Sequence, residues 1–159
     1  YFRVEGSEKA VKLAKTIVAD LGGEAFSIDR KFKALYHASA VTVSGHLVAL
    51  VDAAIEMLSQ CGVSADDAKL ILFPLVKSTV ENLAGQSSSD ALTGSYSRAD
   101  ADAFERHLNA LHDFSSSDIT RIFLDLALRS SRLAKRRSGR SQDFEEMSES
   151  IRMALETAK

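Results

Sequence analysis

From Ala34 through Val51 the chain carries no Asp, Glu, Lys or Arg, and apolar or small residues fall on every side of a helical projection. That pattern predicts one long helix over 30–61, RKFKALYHASAVTVSGHLVALVDAAIEMLSQC, surrounded by other helices. At 1.5 Å per residue it would span roughly 45 Å. Tyr36, His37, Ser39, Thr42, Ser44 and His46 interrupt the apolar run, and neither an aromatic belt nor a positive loop asymmetry flanks it. A bilayer span is therefore rejected, and no membrane is expected as a partner.

The start of the chain has a different rhythm. Phe2 and Val4 alternate with polar residues as in a short strand. Ser7 to Leu21 has helical spacing, Gly22 and Gly23 end it, and Ala25 to Ile28 form a second strand. This β-α-β unit, residues 1–29, needs further strands and cover on both faces, because a lone parallel pair has little stability. The rest, 30–159, reads as helical. Gly62 stops the long helix, and Ser64 with Asp66 and Asp67 starts the next, which contains Pro74, a residue expected to kink or divide it. Residues 85–99, GQSSSDALTGSYSRA, show no apolar periodicity and read as the main functional loop. Asp100 caps a helix bearing Phe104, His107, Leu108 and Leu111 on one face. The helix from Asp118 ends in Arg129, Arg132, Lys135, Arg136 and Arg137, a basic end that the helix dipole favours. A last amphipathic segment, 141–159, brings acidic first turns that can face it.

Composition narrows the class. At 159 residues and 45% hydrophobic content the chain can build a proper core. A formal charge of −2 and a pI near 6.1 give no reason to expect nucleic acid as a partner. The single cysteine, Cys61, excludes an internal disulfide and a cysteine-based metal cluster, and its place before Gly62 suits a small buried hydrophobe. The opening YFRVEGSEKA lacks the basic start and apolar stretch of a secretory signal, so the expected location is cytoplasmic.

Candidate chemistry gathers at two places. On the long helix Lys33, His37, Ala40 and Ser44 fall within about 40° of one line, with Tyr36 about 60° to one side. In the loop, Thr93, Gly94 and Arg98 can hold an anion, Arg98 through its guanidinium and Gly94 through nearby backbone donors. A plainer role for Arg98 is to pair with Asp100 or Asp102 and organise the loop. No nucleophile elbow, P-loop, paired-histidine metal motif or glycine-rich dinucleotide fingerprint occurs, so no metal site is expected.

The run KALYHASAVTVSGHLVAL, the opening FRVEG followed by LGGEAFSID, and the later LTGSYSRAD with HLNAL resemble the C-terminal half of a family of bacterial Rossmann-like oxidoreductases. In that family an NADP-type dinucleotide domain precedes a helical domain similar to those of 6-phosphogluconate dehydrogenase, ketopantoate reductase and pyrroline-5-carboxylate reductase. The resemblance implies a mainly α fold: a 6-phosphogluconate dehydrogenase C-terminal-domain-like bundle around one long central helix, with 1–29 as the closing β-α-β of the dinucleotide domain. It implies reduction of a carbonyl or imine on a small anionic substrate. NADP would be held mainly by the preceding domain, with no cofactor expected on this segment alone. Such a reaction needs a proton donor as hydride arrives, and Lys33 and His37 are the candidates. Tyr36, Ser44, Asn82, Thr93, Gly94 and Arg98 would contact substrate. A homodimer is expected, since related helical domains dimerise through such helices and Ala34, Ala38, Ala49, Ala53 and Ala54 permit close packing. The sequence departs from the family pattern at Gly45, where asparagine is common, at Ser95 in place of proline, and at Ala99 in place of glycine. A non-catalytic helical oligomerisation or interaction module is the alternative that these departures leave open.

Overall fold

Strand β1, Phe2–Arg3, leads through helix α1, Glu8–Asp20, to strand β2, Ala25–Phe26, in a computed structural model that describes residues 1–138 and 141–158. The strands are parallel, Phe2 opposite Ala25 and Arg3 opposite Phe26. Local chemistry accounts for the helix limits. Ser7 accepts a hydrogen bond from the Ala10 N–H at 3.4 Å, and Gly22 turns the chain at φ +72°, which a residue without Cβ adopts freely. Val18 is buried on α1, whereas Leu13, Ile17 and Leu21 stay exposed. Among the described residues, the helix thus keeps an exposed apolar face.

A single 3-10 turn, Arg30–Phe32, capped by Asp29, opens the charge-free run. The run then forms α2, Lys33–Val43, and α3, Gly45–Gln60, instead of the one uninterrupted helix expected. Ser44 makes the difference. Its φ of −111° and ψ of −75° lie at the far margin of the right-handed helical region, and its hydroxyl donates to the Ala40 carbonyl at 2.7 Å, which competes with the backbone ladder. The ladder is bridged by Ser44 N–H to Ala40 O at 3.1 Å and Val48 N–H to Ser44 O at 3.3 Å. Of the two helices only Ala53 is buried. The cover that the apolar pattern predicts does not come from the described residues of this chain.

The chain divides into two compact units within α3, one from Tyr1 to Val48 and the other from Ala49 onward. The first reaches past the β-α-β segment because Tyr36 on α2 packs edge-on against Phe26 and Lys33 approaches Glu5. In the second, α4, Ala65–Gly85, is capped by Ser64 and continues through Pro74 without dividing. The Leu70 carbonyl that loses its donor there lies on an exposed residue, where water can replace it.

Residues 85–99 contain more order than a loop. Helix α5, Ser88–Ala91, and a 3-10 turn, Tyr96–Arg98, both pack on α7, Ser117–Arg137. Buried Ala91 and half-buried Tyr96 anchor them, contacts too few to leave a periodic signature. Helix α6, Ala101–Phe114, follows its Asp100 cap.

Helices α7 and α8, Ser141–Thr157, with Phe104 of α6, hold the main core: Phe104, Leu124, Ala127, Met147, Ile151 and Ala154. Lys159, the end of the segment expected to be helical, lies outside the described residues. Inside this core the Ser131 and Ser148 hydroxyls lie 2.8 Å apart, and Ser148 donates to the Phe144 carbonyl at 2.6 Å. Lys135 on the basic end of α7 pairs with Glu145 of α8, the charge match that the sequence pattern anticipates. The fold is mainly α, with a short β segment at its start.

Candidate functional site

In the first unit the carboxyl ends of β1 and β2 gather charge. Glu5, just past β1, receives Arg3 at 2.6 Å, Lys33 Nζ at 3.6 Å and Arg30 Nε at 3.9 Å. The Arg3 hydrogen bond holds the Glu5 carboxyl below the usual carboxylate range, against some desolvation and with help from the Lys33 charge. Arg3 also lies over the Tyr36 ring, 5.9 Å from its centroid, and Tyr36 meets Phe26 edge-on at 5.8 Å. The Arg3 Nε is buried without a hydrogen-bond partner among the described residues, an uncompensated donor.

Of the predicted helix residues, Lys33 and Tyr36 therefore come together, around partners that the sequence reading did not name. Arg3 and Glu5 were legible only as the residues at the end of a strand, where open α/β sheets commonly place ligands. His37 is exposed and has no hydrogen bond or ion pair among the described residues. Ser44 spends its hydroxyl on its own helix.

In the second unit, Thr93, Gly94 and Arg98 share one turn. Gly94 has φ +80°, a conformation that strains any L side chain, and its carbonyl accepts the Ser97 hydroxyl at 2.8 Å. Ser95 has φ −60°, the value proline fixes, and Ala99 has φ +53° in the left-handed region. The two departures from the family pattern thus fall where proline and glycine fit the backbone. Asp100 is committed to capping α6, accepting from the Ala103 N–H at 2.9 Å, and Arg98 forms no ion pair among the described residues. The plainer role for Arg98, pairing with Asp100 or Asp102, is not realised.

Asn82 sits half-buried on the last turns of α4 and makes no hydrogen bond to the turn among the described residues. Tyr96 fixes the turn on α7 through Phe123, ring centroids 6.4 Å apart. Its hydroxyl is buried without a hydrogen-bond partner among the described residues, and burial pushes its pKa up to about 12.

Two of the cavities in this unit touch the candidate turn or the single cysteine. One of about 290 Å³ is lined by Arg98, Arg137, Ser89, Ser97 and Ser138 over Ala134 and Phe144. The other, about 400 Å³ and largely apolar, lies among Met57, Phe114 and Phe123. Cys61 is on its rim. This thiol is exposed, not buried as its position suggested, because α3 ends there and Gly62, at φ +84°, carries the chain away. Among the described residues no three His, Cys, Asp or Glu side chains converge as a metal centre would need.

No curated protein and no solved structure matches this chain. Residues 1–130, which include every candidate side chain from Arg3 to Arg98 and stop within α7, match the family described as Domain of unknown function (DUF2520), and the chain belongs to that family.

Proposed function

We propose that this chain is the helical substrate-binding and dimerisation part of an NADP-dependent oxidoreductase that reduces a carbonyl or imine of a small anionic substrate. The likeness to the helical domains of 6-phosphogluconate dehydrogenase, ketopantoate reductase and pyrroline-5-carboxylate reductase belongs to this proposal, as does a cytoplasmic location. The observation that carries it is Lys33 held by Glu5 at the carboxyl ends of a parallel strand pair. An ammonium there can give a proton to an acceptor atom while Glu5 orients it, and His37, four residues on, shares its helix face. Arg98, with no carboxylate partner among the described residues, is fitted to anchor the substrate's anionic group.

NADP supplies the hydride when bound, and a Rossmann domain joined to this chain would hold most of it. The exposed apolar face of α1 and the two-stranded sheet suit such a neighbour. A second copy would cover the charge-free run. The chain exposes 11157 Å², whereas two separate compact globules of the sizes of its units would expose about 9,300 Å² between them. The surplus matches one partner's share of an obligate interface, roughly 1,000–2,500 Å².

The test is turnover and cofactor binding by the full-length gene product with NADPH. Lys33→Ala should lower kcat about 10²- to 10⁴-fold, and Arg98→Ala should mainly raise KM. A full-length product that binds no nicotinamide nucleotide would sink this reading. A non-catalytic helical module would then account better for Ser44, whose hydroxyl is spent on its own helix.

A further inference from the structure

We infer that the cavity between the turn Tyr96–Arg98 and the end of α7 is a phosphate-binding site, gripped from two sides by Arg98 and Arg137. The basic end of α7 would by itself be an ordinary solvated helix terminus. Its groups do not behave alike. Lys135 pairs with Glu145, and Arg132 lines a separate charged groove with Glu145, Glu146 and Glu149. Arg137 instead lines the same 290 Å³ cavity as Arg98.

Two guanidinium groups on one small cavity repel each other unless an anion lies between them. The carboxylate that meets Arg137 is a poor substitute. Asp90 is 3.8 Å from Arg137 Nε and already accepts the Ser87 hydroxyl at 2.6 Å. It does not line the cavity, and Arg98 has no ion pair at all among the described residues. The cavity therefore keeps net positive charge.

Its remaining surface suits the same guest. The Ser89 hydroxyl makes no hydrogen bond among the described residues and is free to donate. Phe144 and Ala134, both buried, make an apolar floor that lowers the local dielectric and strengthens charge-assisted bonds. At about 30 Å³ per water the volume equals about ten waters, room for a phosphate and the first atoms of its carrier. A planar carboxylate is satisfied by one bidentate arginine. Two guanidinium forks with a hydroxyl match the several acceptor directions of a tetrahedral phosphate.

This rests on the proposed function only in taking Arg98 as its anion anchor, and it names the anion and a second arginine. Arg137 and Phe144 lie beyond residues 1–130, so the site depends on the segment that follows the family match.

Calorimetric titration of the full 159-residue chain at fixed ionic strength tests it without any nicotinamide reaction. Inorganic phosphate should bind saturably. Loss of a charge-assisted grip, in Arg98→Ala or Arg137→Ala, should weaken binding about ten- to hundredfold. Arg137→Lys, which keeps the charge and the helix, should weaken it as well because the fork is gone. Arg136→Ala, on the same helix end, should leave binding unchanged, and acetate should bind at least about tenfold more weakly than phosphate. Circular dichroism checks that each variant is folded. Tighter binding of glycerol 3-phosphate than of adenosine 2′-monophosphate would assign the phosphate to a small substrate, and the reverse order to the dinucleotide. Absence of saturable phosphate binding, equal weakening by Arg136→Ala, or equal affinity for acetate would overturn the site. Failure here with turnover intact would leave the oxidoreductase reading standing, and a bound phosphate with no turnover would do the opposite.

Discussion

The run Lys33–Gln60 and the pair α7–α8 invert the usual relation between apolar content and burial. The run has no charge for eighteen positions, Ala34 to Val51, yet Leu35, Val43 and Val48 are 68%, 72% and 71% exposed. Helices α7 and α8 carry many charges, yet Leu124, Phe144 and Ile151 are fully buried. Burial follows arrangement. In α7 and α8 the apolar side chains form one stripe on each helix, which the two helices cover together with Phe104 of α6 and the Tyr96 turn, and charges such as Lys135 and Glu145 meet at the edge. In the run they lie all round, and no single neighbouring helix can cover them. By length and composition alone, Arg30–Gln60 would also pass as a membrane span. Its hydroxyls are already satisfied, Ser39 by Tyr36 O, Thr42 by Ala38 O and Ser44 by Ala40 O. His37 and His46 would have to be buried in hydrocarbon, whereas an interface between copies can leave them at a wet rim.

The sharpest way to break this contrast is to truncate one side chain in each region. Ile151→Ala should cost about 2–5 kcal/mol in a thermal or denaturant melt, since it empties a closed core. Val43→Ala, measured in whatever monomer dilution yields, should cost within about 0.5 kcal/mol. Equal losses would mean that the run is already covered within one chain.

A smaller effect probes how closely α7 and α8 fit. Ser131→Ala removes one hydroxyl of a buried pair but leaves Ser148 bonded to the Phe144 carbonyl, so denaturant melts should show a loss of about 1 kcal/mol. A loss several times larger would show that the two hydroxyls act as one network.

Smaller still, and opposite in sign, is Ala99→Gly. Relief of the left-handed strain at φ +53° exceeds the added freedom of the unfolded chain, and the melt should rise by about 0.5–1 kcal/mol. Destabilisation would mean that the Ala99 methyl makes a contact worth more than the strain.

The smallest effect is a pH dependence confined to the first unit. Glu5 has its carboxyl lowered from 4.5 in the folded state, so its contribution is complete above that value and is lost as pH falls below it. Glu5→Gln should flatten that part of the acid limb of stability. A variant that keeps the full slope would show that other carboxylates set it.

Much of the fold was legible in the sequence because its signals are local. Ser64 and Asp100 cap helices just where their spacing to apolar stripes places them, each accepting from a backbone N–H three residues on. Gly22 and the alternation at Phe2 and Val4 outlined the β-α-β segment. What escaped notice depends on contacts between distant positions. Residues 85–99 read as a loop since Ala91 and Tyr96 are ordered by packing on other helices, chiefly α7. The break at Ser44 comes from a hydroxyl choosing the Ala40 carbonyl, an option that every serine in a helix has.

At the candidate site the split is similar. Lys33 and Tyr36 lie near each other on one helix by their spacing, and in the fold Lys33 approaches Glu5 while Tyr36 lies under Arg3. Their partners Arg3 and Glu5 are some thirty positions away, reached only because β1 pairs with β2. Arg98 stood out by residue type, but its neighbour Arg137 looked like any basic helix end until the turn packed on α7.

The claim on which the account turns is that the charge-free run is an interface between two copies of this chain. Light scattering coupled to gel filtration, without detergent, measures it directly. The predicted mass is twice 17.3 kDa, falling to 17.3 kDa on Val48→Glu with helical content retained. An unmodified chain that stays at 17.3 kDa even when concentrated, or that dissolves only in detergent, would contradict it.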